Sequence, residues 1–163
     1  MSTRTDLTGP LSEHPFLAGL TMECLQRLNR VAAAEVLPAG AVIFREGEQA
    51  SRLYLIRRGR VSIEVHVPDR HGIVVDTLGA GDVLGWSWLL SPYRWAFDAR
   101  AAQLVQVITP EAAWLRAEMG QDAAFGMEVL RRMTAVMGRR LAEARHCVVE
   151  HVVEPALGHG FRR

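Results

Sequence analysis

The chain has 163 residues, 49% of them hydrophobic, and 19 basic against 18 acidic side chains leave a net charge of +1. That length suits one domain with an appendage and can bury a real core, while the balanced charge gives no electrostatic case for a nucleic-acid or anionic-membrane partner. Cys24 and Cys147 make no disulfide framework, residues 1–10 hold no apolar signal core, and no run approaches the ~20 apolar residues of a membrane span, so the expectation is a cytoplasmic protein without a membrane partner.

Residues 1–11 mix Ser, Thr, Asp, Gly and Pro without periodicity and read as a flexible N-terminus. Thr21 is a good N-cap, Glu23 suits a first turn, and Leu25, Leu28, Val31 and Ala32 recur at helical spacing. This predicts a short amphipathic helix ending before Glu35. From Ala34 the period changes. Val36, then Pro38-Ala39-Gly40, then Val42-Ile43-Phe44, then Glu46-Gly47-Glu48 reads as strand, turn, strand, turn. Leu53-Tyr54-Leu55-Ile56 is a compact strand, Arg57-Arg58-Gly59-Arg60 a turn, and Val61, Ile63, Val65 and Val67 alternate strictly. A polar turn at 68–72, a strand over 73–78, a turn at 79–82 and a strand at 83–84 follow, and a strand over 99–108 closes the set. Short strands between Gly-containing turns predict a mainly β jelly roll or sandwich rather than a parallel sheet.

The last third returns to helix. Thr109 reads as the N-cap of a short helix that begins with Pro110–Leu115 and that Gly120 breaks, and Asp122 caps a long helix to about residue 150. The domain reading is therefore 1–11 flexible, 12–120 barrel with an N-terminal helix, 121–150 long helix and 151–163 tail. Phe125, Val129, Met133, Val136 or Met137, Leu141 and Ala144 form one apolar stripe, with Arg131, Arg132, Arg139, Arg140 and Arg145 beside it. Such a stripe either packs on the chain's own barrel or seats a partner helix. On a monomer it would leave a sizeable apolar patch, so the expectation is a homodimer through Phe125, Val129, Met133, Met137 and Leu141.

The run 38–61 and the run Leu78-Gly79-Ala80-Gly81-Asp82-Val83-Leu84-Gly85 resemble the cyclic-nucleotide-binding domains, in particular the bacterial catabolite-activator and fumarate-nitrate-regulator (Crp/Fnr) type. The resemblance spans about residues 14–145. It implies a double-stranded β-helix, or jelly roll, followed by a long dimerisation helix. The matched glycines and Tyr54, Leu55 and Ile56 read as barrel construction and carry no chemistry.

In this family a short helix and loop hold a ligand phosphate. The usual pattern is Gly-Glu, then small and apolar residues, then an Arg followed by small residues. Helix amides and the Arg neutralise the phosphate, and the Glu accepts from a ribose hydroxyl. Here Gly85, Leu89 and Leu90 match, and Arg94 stands where the phosphate Arg is expected. Trp86 holds the Glu position, and an indole offers one donor and no strong acceptor. Trp88 and Trp95 replace small residues. On the long helix, Ala144 and Arg145 stand where cyclic-AMP-responsive members carry hydroxyls. The resemblance thus implies a ligand site at Gly85, Trp86, Ser87, Trp88, Arg94, Trp95 and Ala96, with cyclic AMP a poor fit. Two readings stay open for Arg94, ligand contact or an ion pair with Asp98 or another carboxylate. Two stay open for the tryptophans, filling of a pocket that no longer binds or stacking on a different planar ligand.

His66 and His71 flank a turn, and His146, Cys147, His151 and His159 lie near the C-terminus, but they make no ligand set of defined spacing, so no metal is expected. No nucleophile elbow, phosphate loop or metal-ligating histidine cluster of a cupin enzyme is present, so the expectation is a non-enzyme without a cofactor. The segment from His146 to the end, interrupted by Pro155, Gly158 and Gly160, is too short for the helix-turn-helix that usually follows in regulators of this type. The function expected is a stand-alone regulatory sensor domain that binds a small anionic or aromatic effector, or a divergent nucleotide, and signals as a dimer to a protein partner. A ligand-free interaction module with a Trp-filled barrel is the alternative.

Overall fold

The computed structural model describes residues 5–66 and 72–148. The chain divides into two compact units, Met1–Gly126 and Met127–Arg163. Among the described residues the first unit holds two four-stranded antiparallel sheets. The strands are β1 (Ala32–Leu37), β2 (Val42–Phe44), β3 (Tyr54–Arg58), β4 (Val61–Val65), β5 (Ile73–Leu78), β6 (Val83–Leu84), β7 (Asp98–Ala101) and β8 (Val105–Pro110). One sheet runs β1-β8-β3-β6 and the other β2-β7-β4-β5. This is the jelly roll expected from the spacing of short strands and glycine turns.

Sequential strands repeatedly fall in opposite sheets, so the chain wraps a shared core. Leu55, Val61, Ile63, Val83, Leu84, Ala99, Ala101, Val105 and Val107 are buried. In β3 and β8 neighbouring residues are buried together, Leu55 with Ile56 and Val107 with Ile108. Side chains alternate along a strand, so both faces of these two strands are covered. The other sheet differs: Ile73, Val74 and Val75 on its edge strand β5 are exposed. The β3–β4 connection is tight because Gly59 sits at φ 88° with its Cα against the Leu104 carbonyl, where any Cβ would overlap that oxygen.

Four boundaries differ from the sequence reading. Residues 8–11, read as part of a flexible N-terminus, fall in a helix, α1 (Thr8–Glu13), and Leu7 and Leu11 are buried. Two widely spaced leucines in a polar stretch carry no detectable period. The next helix, α2 (Met22–Asn29), does start from Thr21, whose hydroxyl accepts from the Cys24 N–H at 3.3 Å, but it ends at Asn29, three residues before Ala32, which opens β1. The strand read over 99–108 is two strands in different sheets, β7 and β8, parted by a turn at 102–104. The third helix, α3 (Ala112–Gln121), starts after Glu111 and contains Gly120. Pro110 ends β8, and the Thr109 hydroxyl bonds Glu35 (3.0 Å) and the Ala33 carbonyl (3.4 Å) instead of capping α3. The turn read at 68–72 and the tail 151–163 lie outside the described residues, apart from Gly72.

The last helix, α4 (Ala123–Val148), starts as read: the Asp122 carboxylate accepts the Phe125 N–H at 3.0 Å. In the second unit Glu128 accepts from Arg131 (2.8 Å) and Arg132 (2.6 Å), which hold its carboxyl down at about 2. Along the stripe assigned to a dimer, Phe125, Val129 and Met133 are buried in the single chain, Met137 is half-buried and Leu141 is 73% exposed. Phe125 lies under the Arg27 guanidinium, 5.9 Å from its ring centroid. No helix among the described residues is long and apolar enough to cross a membrane.

Candidate functional site

The connection from β6 to β7 carries every residue singled out as a ligand contact. It begins at Gly85, in the left-handed region at φ 81°, where a Cβ would overlap the Trp95 ring. Glycine is required here twice over, for its backbone angle and for the indole resting on it. The family helix is replaced by turns: Leu89 N–H bonds the Trp86 carbonyl at 3.0 Å and Tyr93 N–H the Leu90 carbonyl at 2.8 Å, with no α-helix between β6 and β7. The helix amides expected near Ser87 and Trp88 are therefore not a helix terminus.

The loop returns along the turn after β2. Ala50 N–H bonds the Tyr93 carbonyl (2.8 Å), Trp95 N–H the Glu48 carbonyl (2.9 Å) and Gly47 N–H the Trp95 carbonyl (2.8 Å). Extended pairing sends neighbouring side chains to opposite faces. Trp95 turns inward and is buried, while Arg94 and Ala96 are exposed. Arg94 donates to the Gly47 carbonyl at 2.8 Å. The ion pair with Asp98, part of one of the two readings left open, is not formed. Asp98 instead accepts the Glu46 N–H at 2.7 Å.

Inside, Trp95 lies flat on Phe44, with centroids 3.7 Å apart and planes 7° apart. Tyr54 and Phe97 complete the group, 5.8 and 5.9 Å from Phe44. Burial pushes the Tyr54 hydroxyl up from its ordinary pKa. Trp88 is fully buried and Ser87 nearly so, and neither the Trp88 Nε1–H nor the Ser87 Oγ has a hydrogen-bond partner among the described residues. Unpaired buried polar groups of this kind are uncommon and call for an explanation. Trp86 is half-buried.

The structure thus brings Gly85 and Trp95 together in an aromatic core, buries Ser87 and Trp88 beside it in sequence, and leaves Arg94 and Ala96 at the surface. Phe44, Tyr54 and Phe97 were not singled out as site residues from sequence, because Phe44 and Tyr54 stand in different sheets and Phe97 just before β7. Arg116 of α3 had no sequence signal. It donates to the Trp88 carbonyl at 2.6 Å and stands 4.1 Å over the Tyr93 ring. Among the described residues no group of histidine, cysteine and carboxylate side chains is arranged to hold a metal; His151 and His159 lie outside them.

The family model for the cyclic nucleotide-binding domain matches residues 34–122. A Pycsar effector protein of Xanthomonas perforans, XpPycTIR, is 32% identical over 146 residues, which cover 89% of this chain and 45% of that protein. A CRP-like cAMP-activated global transcriptional regulator of Mycobacterium tuberculosis is 28% identical over 131 residues, covering 80% of this chain and 57% of that one. The chain therefore spans about half the length of these relatives. The solved structure of a cyclic nucleotide-binding protein from Geobacter metallireducens superposes with a TM-score of 0.73 at 28% identity, covering 82% of this chain and 97% of that one.

Proposed function

This chain belongs to the cyclic nucleotide-binding domain family, and from that premise we propose that it is a regulatory sensor domain whose 85–97 loop takes a small anionic or aromatic effector, or a divergent nucleotide, other than cyclic AMP. It acts by binding and not by catalysis, and passes its state to a protein partner as a homodimer. The observation that carries this reading is the pair of buried, unpartnered groups of the loop, Ser87 Oγ and Trp88 Nε1. Buried hydrogen-bonding groups are costly unless a partner meets them, and these two belong to the segment that faces ligand in this family.

Cyclic AMP is disfavoured by the chemistry of position 86. A ribose hydroxyl left without its carboxylate costs on the order of 1–3 kcal/mol. The Xanthomonas and Mycobacterium relatives, an effector protein and a cAMP-activated transcriptional regulator by name, support a signalling role. The second reading, a filled barrel that binds nothing, is favoured by the Trp95–Phe44 stack, which already occupies interior space with aromatic surface.

A thermal-shift panel separates the two. It contains the cyclic mononucleotides of the four RNA bases, cyclic dinucleotides and small aromatic or anionic metabolites. Since a ligand specific for the folded state raises its stability by mass action, the sensor reading expects at least one compound to raise the melting temperature in proportion to the logarithm of its concentration. A flat panel supports the filled barrel. For the dimer, Leu141 is the exposed apolar residue of the stripe. Light scattering should give a dimer for the unmodified chain and a monomer for Leu141→Glu.

A further inference from the structure

We propose that the free edge of β1 (Ala32–Leu37) is a pairing site for the same strand of a second copy of the chain, joined antiparallel about a two-fold axis. The contact is separate from the 85–97 loop and from the α4 stripe and depends on neither reading. It follows from the backbone groups that β1 leaves open, from the registers a two-fold axis allows, and from charge.

β1 ends its sheet, with β8 on one side and no strand on the other among the described residues. The Glu111 N–H bonds the Val31 carbonyl at 3.2 Å, while the Pro110 carbonyl turns the other way and accepts from the Leu53 N–H at 3.0 Å. Hydrogen-bonded and non-hydrogen-bonded pairs alternate along an antiparallel ladder. Ala33 and Glu35 therefore bond their opposite numbers on β8, Thr109 and Val107, and Ala32, Ala34 and Val36 turn their N–H and carbonyl groups outward. Sheet edges are commonly blunted by shortness or by a bulge. Here β6 has two residues, β2 has three, and the pairing of β5 with β4 shifts register at Ile63/Glu64. β1 runs six residues in unbroken register, with Ala33, Ala34 and Val36 exposed. An edge of that kind is a template for a further strand.

Self-pairing is selective because the outward residues must meet one another. Centred on Glu35, it sets the two Glu35 side chains opposite each other at the closer Cα spacing, and it brings up Pro38, which has no N–H to donate. Centred on Ala33, it sets Val36 against Arg30, which has helical backbone angles at the end of α2. Centred on Ala34, it sets Ala34 against its counterpart and Ala32 against Val36, and every outward group is used. The second copy's Glu35 then stands opposite Ala33, which lines a groove with Arg30, Arg52, Thr109 and Glu111. Arg52 is already paired with Glu35 of its own chain. Arg30 is exposed and has no ion pair among the described residues, so it is the guanidinium left to meet the incoming carboxylate.

One short strand from each copy makes a contact well below the about 1,200 Å² of a stable interface, so the dissociation constant expected is on the order of 0.1–1 mM. Amide hydrogen exchange on the full chain tests the pairing. The N–H groups of Ala32, Ala34 and Val36 should exchange about threefold more slowly at about 1 mM than at about 20 μM, while those of Ala33 and Glu35, already bonded to β8, stay unchanged. Ala34→Lys and Ala34→Glu, each alone, should abolish the slowing at Ala32 and Val36, because like charges then face each other across the axis. An equimolar mixture of the two should restore it. Unchanged β4 amides report that the fold is kept, and if a variant does not fold, the alternation along β1 in the unmodified chain still decides. Exchange at Ala32, Ala34 and Val36 that ignores concentration overturns the proposal, as does slowing that survives in Ala34→Lys. Slowing at residues 73–75 in place of β1 would assign the pairing to β5 and overturn it as well.

Discussion

The frame of the barrel, residues 38–61, and the loop it carries, residues 85–97, were built to different demands. In the frame, glycines and apolar residues answer to backbone geometry alone: Gly59 turns against Leu104, and Leu55 and Ile56 fill both faces of β3. In the loop, the family's pattern of a carboxylate and small residues is replaced by three indoles, and one of them has become part of the core, stacked on Phe44 of the frame. The contrast teaches that the turns and packing of a scaffold can be kept while the segment between β6 and β7 takes up different residues and packs them in its own way.

The largest effects should come from residues where the two regions have merged. Trp95→Ala removes the stacked indole and leaves a cavity, and should cost about 4 kcal/mol of unfolding free energy, comparable to about 3 kcal/mol for Leu55→Ala in the frame. Urea midpoints of both variants check this. A cost below about 1 kcal/mol for Trp95→Ala would make the loop an appendage and break the comparison.

Next come the two strained glycines. Gly59→Ala meets backbone and should cost about 3–4 kcal/mol, while Gly85→Ala meets the Trp95 ring, which can shift, and should cost about 2–3 kcal/mol. Adding Trp95→Phe should soften the Gly85→Ala penalty and leave that of Gly59→Ala untouched, because only neighbours couple.

A smaller effect sits on the frame's outer side. His14 is buried, its Nε2–H donating to the Ile56 carbonyl at 3.2 Å while Nδ1 accepts the Phe16 N–H at 3.2 Å. Burial lowers its pKa below 6.5, against the pull of Asp82 and with a push from Arg57. The unfolded chain therefore binds this proton more readily than the folded one. The contribution of neutral His14 is present above pH 6.5 and is lost as pH falls through the lowered folded value. Melting temperature should decline from pH 7 to pH 5 more steeply in the unmodified protein than in His14→Gln. Equal slopes would reject this assignment.

The smallest change in stability is expected at Arg94. It is exposed and holds one carbonyl, so Arg94→Ala should lower stability by about 0.5–1 kcal/mol. A loss of several kcal/mol would point to a buried carboxylate partner instead.

Much of the frame could be read in the sequence because its signals are local. Thr21 and Asp122 cap helices by short-range hydrogen bonds, and glycine turns fix strand ends within a few residues. What stayed hidden depends on distant pairing. The division of 99–108 between β7 and β8 follows from their pairing in different sheets, and α1 from burial of only Leu7 and Leu11. In the site, Gly85 and the unusual indoles were visible. The outward turn of Arg94 was not, because it is set by pairing of 93–95 with 47–50, nor was Arg116, whose partners lie 28 residues away at Trp88 and at Tyr93.

The central claim is that the scaffold of a cyclic nucleotide-binding domain is kept while its ligand loop has been retuned away from cyclic AMP. Calorimetric titration of cyclic AMP against the unmodified chain and Trp86→Glu tests it most directly. The account predicts binding weaker than about 1 μM for the unmodified chain, and about tenfold tighter binding once a carboxylate can meet the ribose hydroxyl. Sub-micromolar binding of cyclic AMP to the unmodified chain, unimproved by Trp86→Glu, would contradict it.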